Sequence, residues 1–128
     1  MNLENPNKLL EEAIEEGRVY LPRLKEGISE IVTMLQEGRE GEGVNLFIQA
    51  LEGMEWLETV LNGIECFNDN TNYKDGQGDI TTRYRHALAD LLEAWENRDM
   101  VLISDLLEFE VVPVIEIFLE RISPGREH

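Results

Sequence analysis

The sequence is short of most of the residues that catalytic and binding chemistry is built on. It holds one cysteine, Cys66, so no intrachain disulfide can form, and a reducing, cytoplasmic compartment fits that usage. His86 is the only histidine away from the C-terminus. It sits one turn before Asp90 on the polar side of a helical segment and reads as an exposed, ion-pairing residue. No Glu-x-x-His pair of the kind that holds a di-iron centre occurs. Neither a cysteine–histidine pairing, a phosphate-binding loop nor a nucleophile elbow is present, which leaves nucleophilic and phosphate-cradling catalysis without candidates and predicts a protein with no cofactor.

Basic residues are scarce as well. Eleven lysines and arginines stand against 27 aspartates and glutamates, a formal charge of −16. A phosphate backbone or an anionic lipid surface would be repelled by this chain, which argues against nucleic acid and membrane partners. A basic partner, a metal ion or simple solubility remain as uses for the charge. No apolar run reaches the roughly 18 residues of a membrane span, and the start, MNLENPNKLLEEAIEE, has neither the basic opening nor the apolar core of a signal peptide.

What is present is helix. The 128 residues, 42% of them hydrophobic, suffice for one compact core and predict a single domain over 1–128. Apolar residues recur at helical spacing with no strand-like alternation, so the predicted class is all-α. Asn5 and Pro6 open a short helix carrying Leu9, Leu10, Ala13 and Ile14, which Gly17 ends. A second runs from about Arg18 through Leu21, Leu24, Ile28, Ile31 and Leu35, with Pro22 in its first turn, and stops at EGREGEG. A third, from Val44 to Cys66, repeats the seam through Phe47, Ala50, Met54, Leu57, Leu61 and Ile64. Beyond a polar stretch at 68–79, Asp79 caps a fourth helix, whose face is Ile80, Tyr84, Ala87, Leu88, Leu91, Leu92 and Trp95. The tripeptide NRD then leads into a fifth, ending near Ile122. The expected architecture is an antiparallel four-helix bundle with a short additional N-terminal helix laid across it.

Four features bear on function. EEAIE, at 11–15, is similar to half of the metal motif of the all-α nucleotide pyrophosphohydrolases, and Glu11, Glu12 and Glu15 share a helical face that suits Mg²⁺. The complementary E-x-x-D half has a single match, Glu96 to Asp99, at a helix boundary far along the chain. DNTNYKDGQGD, at 69–79, has the composition of a calcium loop but no working register: starting at Asp69 puts Lys74 where glycine is needed and Ile80 where the bidentate glutamate belongs. Trp56 projects about 120° away from its helix's apolar seam, on a back face with Phe67 and beside Gly53, either covered by the first helix or free as an aromatic anchor.

The fourth is DLLEFEVVPVIEIF, at 105–118. On a helical wheel Asp105, Glu108, Glu116 and Glu120 form a polar stripe, while Glu110 points about 140° away, into the expected core. A buried carboxylate there needs either a partner, with Arg121, Tyr20, Tyr84 and Trp95 as candidates, or a raised pKa that keeps it protonated. Pro113 strips the Phe109 carbonyl of its helical hydrogen bond and should bend the helix. The pair is a polar contact at a kink, or a pocket where that carbonyl and carboxylate face a cationic group.

The segments EWL (55–57), LLEAWENRD (91–99) and above all ISDLLEFEVVPVIE (103–116) resemble an uncharacterised family of small all-helical domains from Gram-positive bacteria, over about residues 44–120. The resemblance implies a helical fold and brings no activity or site residues. The residues together point to a non-enzymatic interaction module binding a protein or a second copy of itself through Trp56, Phe67, Glu110 and Pro113. In general character the chain also resembles the small acidic helical chaperones and adaptors of export systems, a likeness that implies an adaptor-like or chaperone-like role. The alternative is a Mg²⁺-dependent nucleotide pyrophosphohydrolase acting through Glu11, Glu12 and Glu15.

Overall fold

A computed structural model describes residues 6–68 and 77–122, and within that span the side chains of 6–7, 65–68 and 77–79 are not described. Every element is helical: α1 (Pro6–Gln36), α2 (Glu40–Asn68), α3 (Gln77–Glu96), α4 (Met100–Leu106) and α5 (Val112–Ile122). A π-helical turn, Leu107–Val111, joins α4 to α5 without a break, so the last three elements form one rod. The class is all-α. Asn5 and the 69–76 part of the polar stretch lie outside the described residues, and α3 begins two residues ahead of the expected Asp79 cap.

The short N-terminal helix does not exist as a separate element. Residues 6–36 form one 31-residue helix that passes straight through Gly17 and Pro22. Magnitudes explain why both breakers fail. Glycine in a helix interior costs about 1 kcal/mol and proline about 3. Leu21, Leu24, Ile28 and Ile31 are buried on the same helix, and each such side chain contributes about 1.5–3 kcal/mol. Pro22 faces solvent, where water can take the Arg18 carbonyl it leaves unbonded. Gly17 is buried because α2 passes close by: a Cβ there would lie 3.5 Å from the Trp56 ring and 3.4 Å from Leu21. It marks a contact point, not a stop.

Turn geometry reverses the chain twice with the same device. After α1, Gly38 takes φ +83° while Arg39 N–H donates to the Met34 carbonyl at 2.8 Å and Gly38 N–H to that of Leu35 at 3.3 Å. After α3, Arg98 takes φ 55°, Asp99 N–H donates to Ala94 at 2.9 Å and Arg98 N–H to Trp95 at 3.0 Å. Both are left-handed helix caps of the Schellman type. The second uses arginine where glycine is usual, and its guanidinium lies over the Trp95 ring, 4.5 Å from the centroid. Asp99 caps α4 as expected, its Oδ1 accepting from Leu102 N–H at 3.1 Å.

Contacts down the α1–α2 interface run in opposite directions: Leu10 against Gly63, Gly17 against Trp56, Tyr20 and Leu24 against Gly53, Leu35 against Gly43. The two helices are therefore antiparallel. α1 also adjoins the final rod, and α3 adjoins α2 and that rod. One hydrophobic cluster joins all of them, centred on Leu21, Ile28, Ile31, Phe47, Met54, Leu57, Leu61, Tyr84, Leu91, Ile103, Leu107 and Phe118. Tyr84 is its polar exception. Its hydroxyl donates to the Met54 carbonyl at 2.8 Å, and burial pushes the phenol far above its usual titration range, so it stays neutral.

The π turn re-registers the last rod. Ile103, Leu107, Val111 and Ile115 are all buried at a strict spacing of four, which on a straight α-helix would drift by about 120°. Widening one turn, so that Val112 N–H reaches back five residues to the Leu107 carbonyl, keeps that row facing inward.

Candidate functional site

The π turn decides the fate of Glu110. Its side chain is 42% exposed, so the buried carboxylate expected from the wheel is not found. A uniform 100° per residue carries Glu110 into the core; the wider turn swings it to the edge of α3 instead. Its partner is none of Arg121, Tyr20, Tyr84 or Trp95. Arg83 on α3 donates from Nε to the Glu110 carboxylate at 3.0 Å and from Nη2 to the Phe109 carbonyl at 3.2 Å. That carbonyl is the one Pro113 leaves without a helical donor. One guanidinium thus satisfies both anomalies, and the cationic group a pocket here would recognise is already supplied from within the chain. Pro113 is half-buried behind this clasp.

Trp56 sits differently. It is half-buried: Tyr20 of α1 covers one edge of the indole, and the ring also lines an open groove. Tyr20 meets the ring edge-to-face, with centroids 5.6 Å apart and planes at 85°, a favoured aromatic geometry. The Tyr20 hydroxyl lies so close over Gly53 that a Cβ there would be 2.0 Å from it. No residue other than glycine permits this placement of the phenol. The groove, about 790 Å³, is lined by Glu15, Glu16, Val19 and Tyr20 of α1 and by Gln49, Glu52, Gly53 and Trp56 of α2. Val19 is 64% exposed at its mouth. Glu15 pairs with Arg18, whose guanidinium also donates to the Ile122 carbonyl. Among the described residues, no lysine or arginine pairs with Glu16 or Glu52.

Phe67 falls in the last turn of α2, and its side chain lies outside the described residues. Glu11 and Glu12 are exposed near the start of α1. They lie at the end of the molecule where Leu10 meets Gly63, whereas Glu96 and Asp99 follow Trp95, which packs on Phe47 near the opposite end of α2. The two halves of the hydrolase motif are thus held apart by much of the length of α2, Asp99 is occupied as a helix cap, and among the described residues no group of three or more His, Cys, Asp or Glu is placed to hold a metal ion. No described helix is long and apolar enough to cross a membrane.

Over residues 12–121 the chain matches a family described as a domain of unknown function, DUF8042. It belongs to that family. The match takes in every groove residue and the whole Arg83 clasp, and it reaches well beyond the 44–120 stretch on which the resemblance was drawn. It says nothing of a Gram-positive source. Comparison with curated proteins and with solved structures gives no match.

Sequence reasoning singled out Trp56 and Gly53 but missed their partners across the interface, Val19 and Tyr20. The spacing along α2 records that Gly53 admits a close neighbour; that the neighbour is a phenol depends on how α1 lies against it. Arg83 was missed for the same reason. The available signal was a carbonyl freed by Pro113 beside a carboxylate, a combination that calls for a two-pronged donor.

Proposed function

We propose that this chain is a non-enzymatic protein-interaction module, an adaptor-like or chaperone-like helical domain in antiparallel four-helix bundle order, and that it docks its partner in the Tyr20–Trp56 groove. The observation that carries this reading is the aromatic pair half-exposed over Gly53. Tyrosine and tryptophan are stiff and offer large contact areas at low entropic cost, and they dominate binding energy at protein interfaces. An edge-to-face pair held by packing on Gly17 and Gly53 is preorganised for that use. The Pro113 region is the weaker candidate, since Arg83 already occupies its polar groups.

The test is site-directed photo-crosslinking in the native host, with benzoylphenylalanine placed at Val19 or, as control, at Asp90, an exposed position on α3 away from the groove. A discrete adduct from Val19 that is lost on Gly53→Ala supports the reading. No adduct at Val19, or the same adducts from both positions, refutes it.

A further inference from the structure

The groove's walls also specify what kind of segment fits it. Resting on the reading of the groove as a docking surface, we infer that its occupant is a cationic amphipathic helix: a large apolar side chain seated against Val19, Tyr20 and Trp56, flanked one turn away by lysines or arginines that meet Glu16 and Glu52.

The helical form follows from backbone chemistry. Both walls are α-helices, whose interior N–H and C=O groups are bonded along their own axes. They offer no row of free donors and acceptors, so an extended segment gains no ladder of hydrogen bonds and would leave its own polar backbone poorly satisfied against an apolar floor. A segment that bonds its backbone internally avoids that cost. The groove-lining residues of α2 run from Gln49 to Trp56, about 10 Å or two helical turns, which suits anchors at positions i, i+3 or i+4, and i+7.

The charge follows from the rim. Three of the eight lining residues are glutamates and none is basic, and Glu16 and Glu52 have no cationic partner among the described residues. Bringing an acidic or neutral helix over them would remove water from two carboxylates without replacing it, whereas Lys or Arg side chains compensate them. The chain's formal charge of −16 steers the same class of partner toward the surface. It also disfavours a second copy, because face-to-face pairing of two such grooves would set carboxylate against carboxylate.

Three synthetic helices of roughly four turns, sharing one leucine stripe, test this by fluorescence anisotropy and by ¹⁵N NMR on the full chain. The first carries lysines on the flanks of the stripe, the second glutamates, and the third the lysines plus two central prolines that prevent helix formation. The lysine helix should bind and shift the indole N–H signal of Trp56 and not that of Trp95. Glu16→Gln with Glu52→Gln should weaken it about five- to tenfold, since exposed ion pairs each contribute modestly. Asp90→Asn with Glu93→Gln, equal in net charge, should weaken it less than about twofold. Equal losses in the two charge variants, equal binding of the proline peptide, or a concentration-dependent dimer seated in the groove each overturns the inference. If the glutamate helix is the one that moves the Trp56 signal, groove docking stands and the cationic partner falls; if none of the three moves it, both fall.

Discussion

Arg83 and Pro113 should be energetically coupled although the guanidinium touches Phe109 and Glu110 and not the proline. The Phe109 carbonyl accepts from Arg83 at 3.2 Å because residue 113 has no N–H to offer it. Consider Arg83→Met, which keeps much of the apolar stem. It removes one hydrogen bond, worth about 0.5–1.5 kcal/mol net, and one ion pair with Glu110 that is about two-fifths exposed on both sides and so is worth at most about 1. The expected loss is about 1–2 kcal/mol. Pro113→Ala supplies an N–H that can serve the same carbonyl. Its helix-propensity gain of up to about 3 kcal/mol is reduced by lost packing and by about 0.4–1 from a looser unfolded chain, leaving it about 1–2 more stable than the wild type. In that background Arg83→Met should cost only the ion-pair share, about 0.5 kcal/mol. The four proteins of the cycle, unfolded in urea near neutral pH, should therefore give a coupling of about 0.5–1.5 kcal/mol, visible also as a difference of a few degrees in Tm. Additive effects, with coupling under about 0.3 kcal/mol, would refute the assignment of Arg83 as the substitute donor.

Three further outcomes are expected. Ser104 is buried with no hydrogen-bond partner for its Oγ among the described residues, so Ser104→Ala should stabilise the fold by about 1 kcal/mol in the same urea assay; a loss would mean the hydroxyl is satisfied in solution. Gly43→Ala would set a Cβ 2.8 Å from Leu35 Cδ2 and 3.4 Å from Met34 Cβ where α2 leaves its turn, and should cost about 1–3 kcal/mol despite alanine's better propensity; thermal melts that match or exceed the wild type would contradict the close approach. Tyr84 has its pKa raised in the folded state by burial, so the folded chain holds a proton that the unfolded chain gives up above about pH 10. Stability is thus fully present below that pH and should fall above it with a slope approaching 1.4 kcal/mol per pH unit for this group. Tyr84→Phe should flatten that part of the profile, and an unchanged alkaline slope would count against burial as the cause.

Periodicity alone located the seams that became the core. Leu21, Leu24, Ile28 and Ile31, then Met54, Leu57, Leu61 and Ile64, then Ile80, Tyr84, Leu88 and Leu91 all face inward as their spacing predicts. Such patterns are legible because a helix repeats every 3.6 residues whatever it packs against. The capping role of Asp99 was equally local, and so was the carbonyl that Pro113 had to leave open. Gly17 was misread because a glycine between two apolar runs looks the same whether it ends a helix or admits a neighbour. Only the nearness of Trp56 decides which.

The groove and the clasp belong to that second kind of information. Glu110 faces Arg83, and not the core, because α1 and α3 each draw apolar rows of the last rod inward and one turn widens to serve both. Tyr20 lies on Gly53 because two antiparallel helices happen to meet at that register. Composition and spacing determined helix content, acidity and most of what is buried, since each depends on residues within a turn or two of one another. Which side chains meet across helices was settled only by tertiary packing, where widening one helical turn costs less than leaving a row of apolar side chains in water.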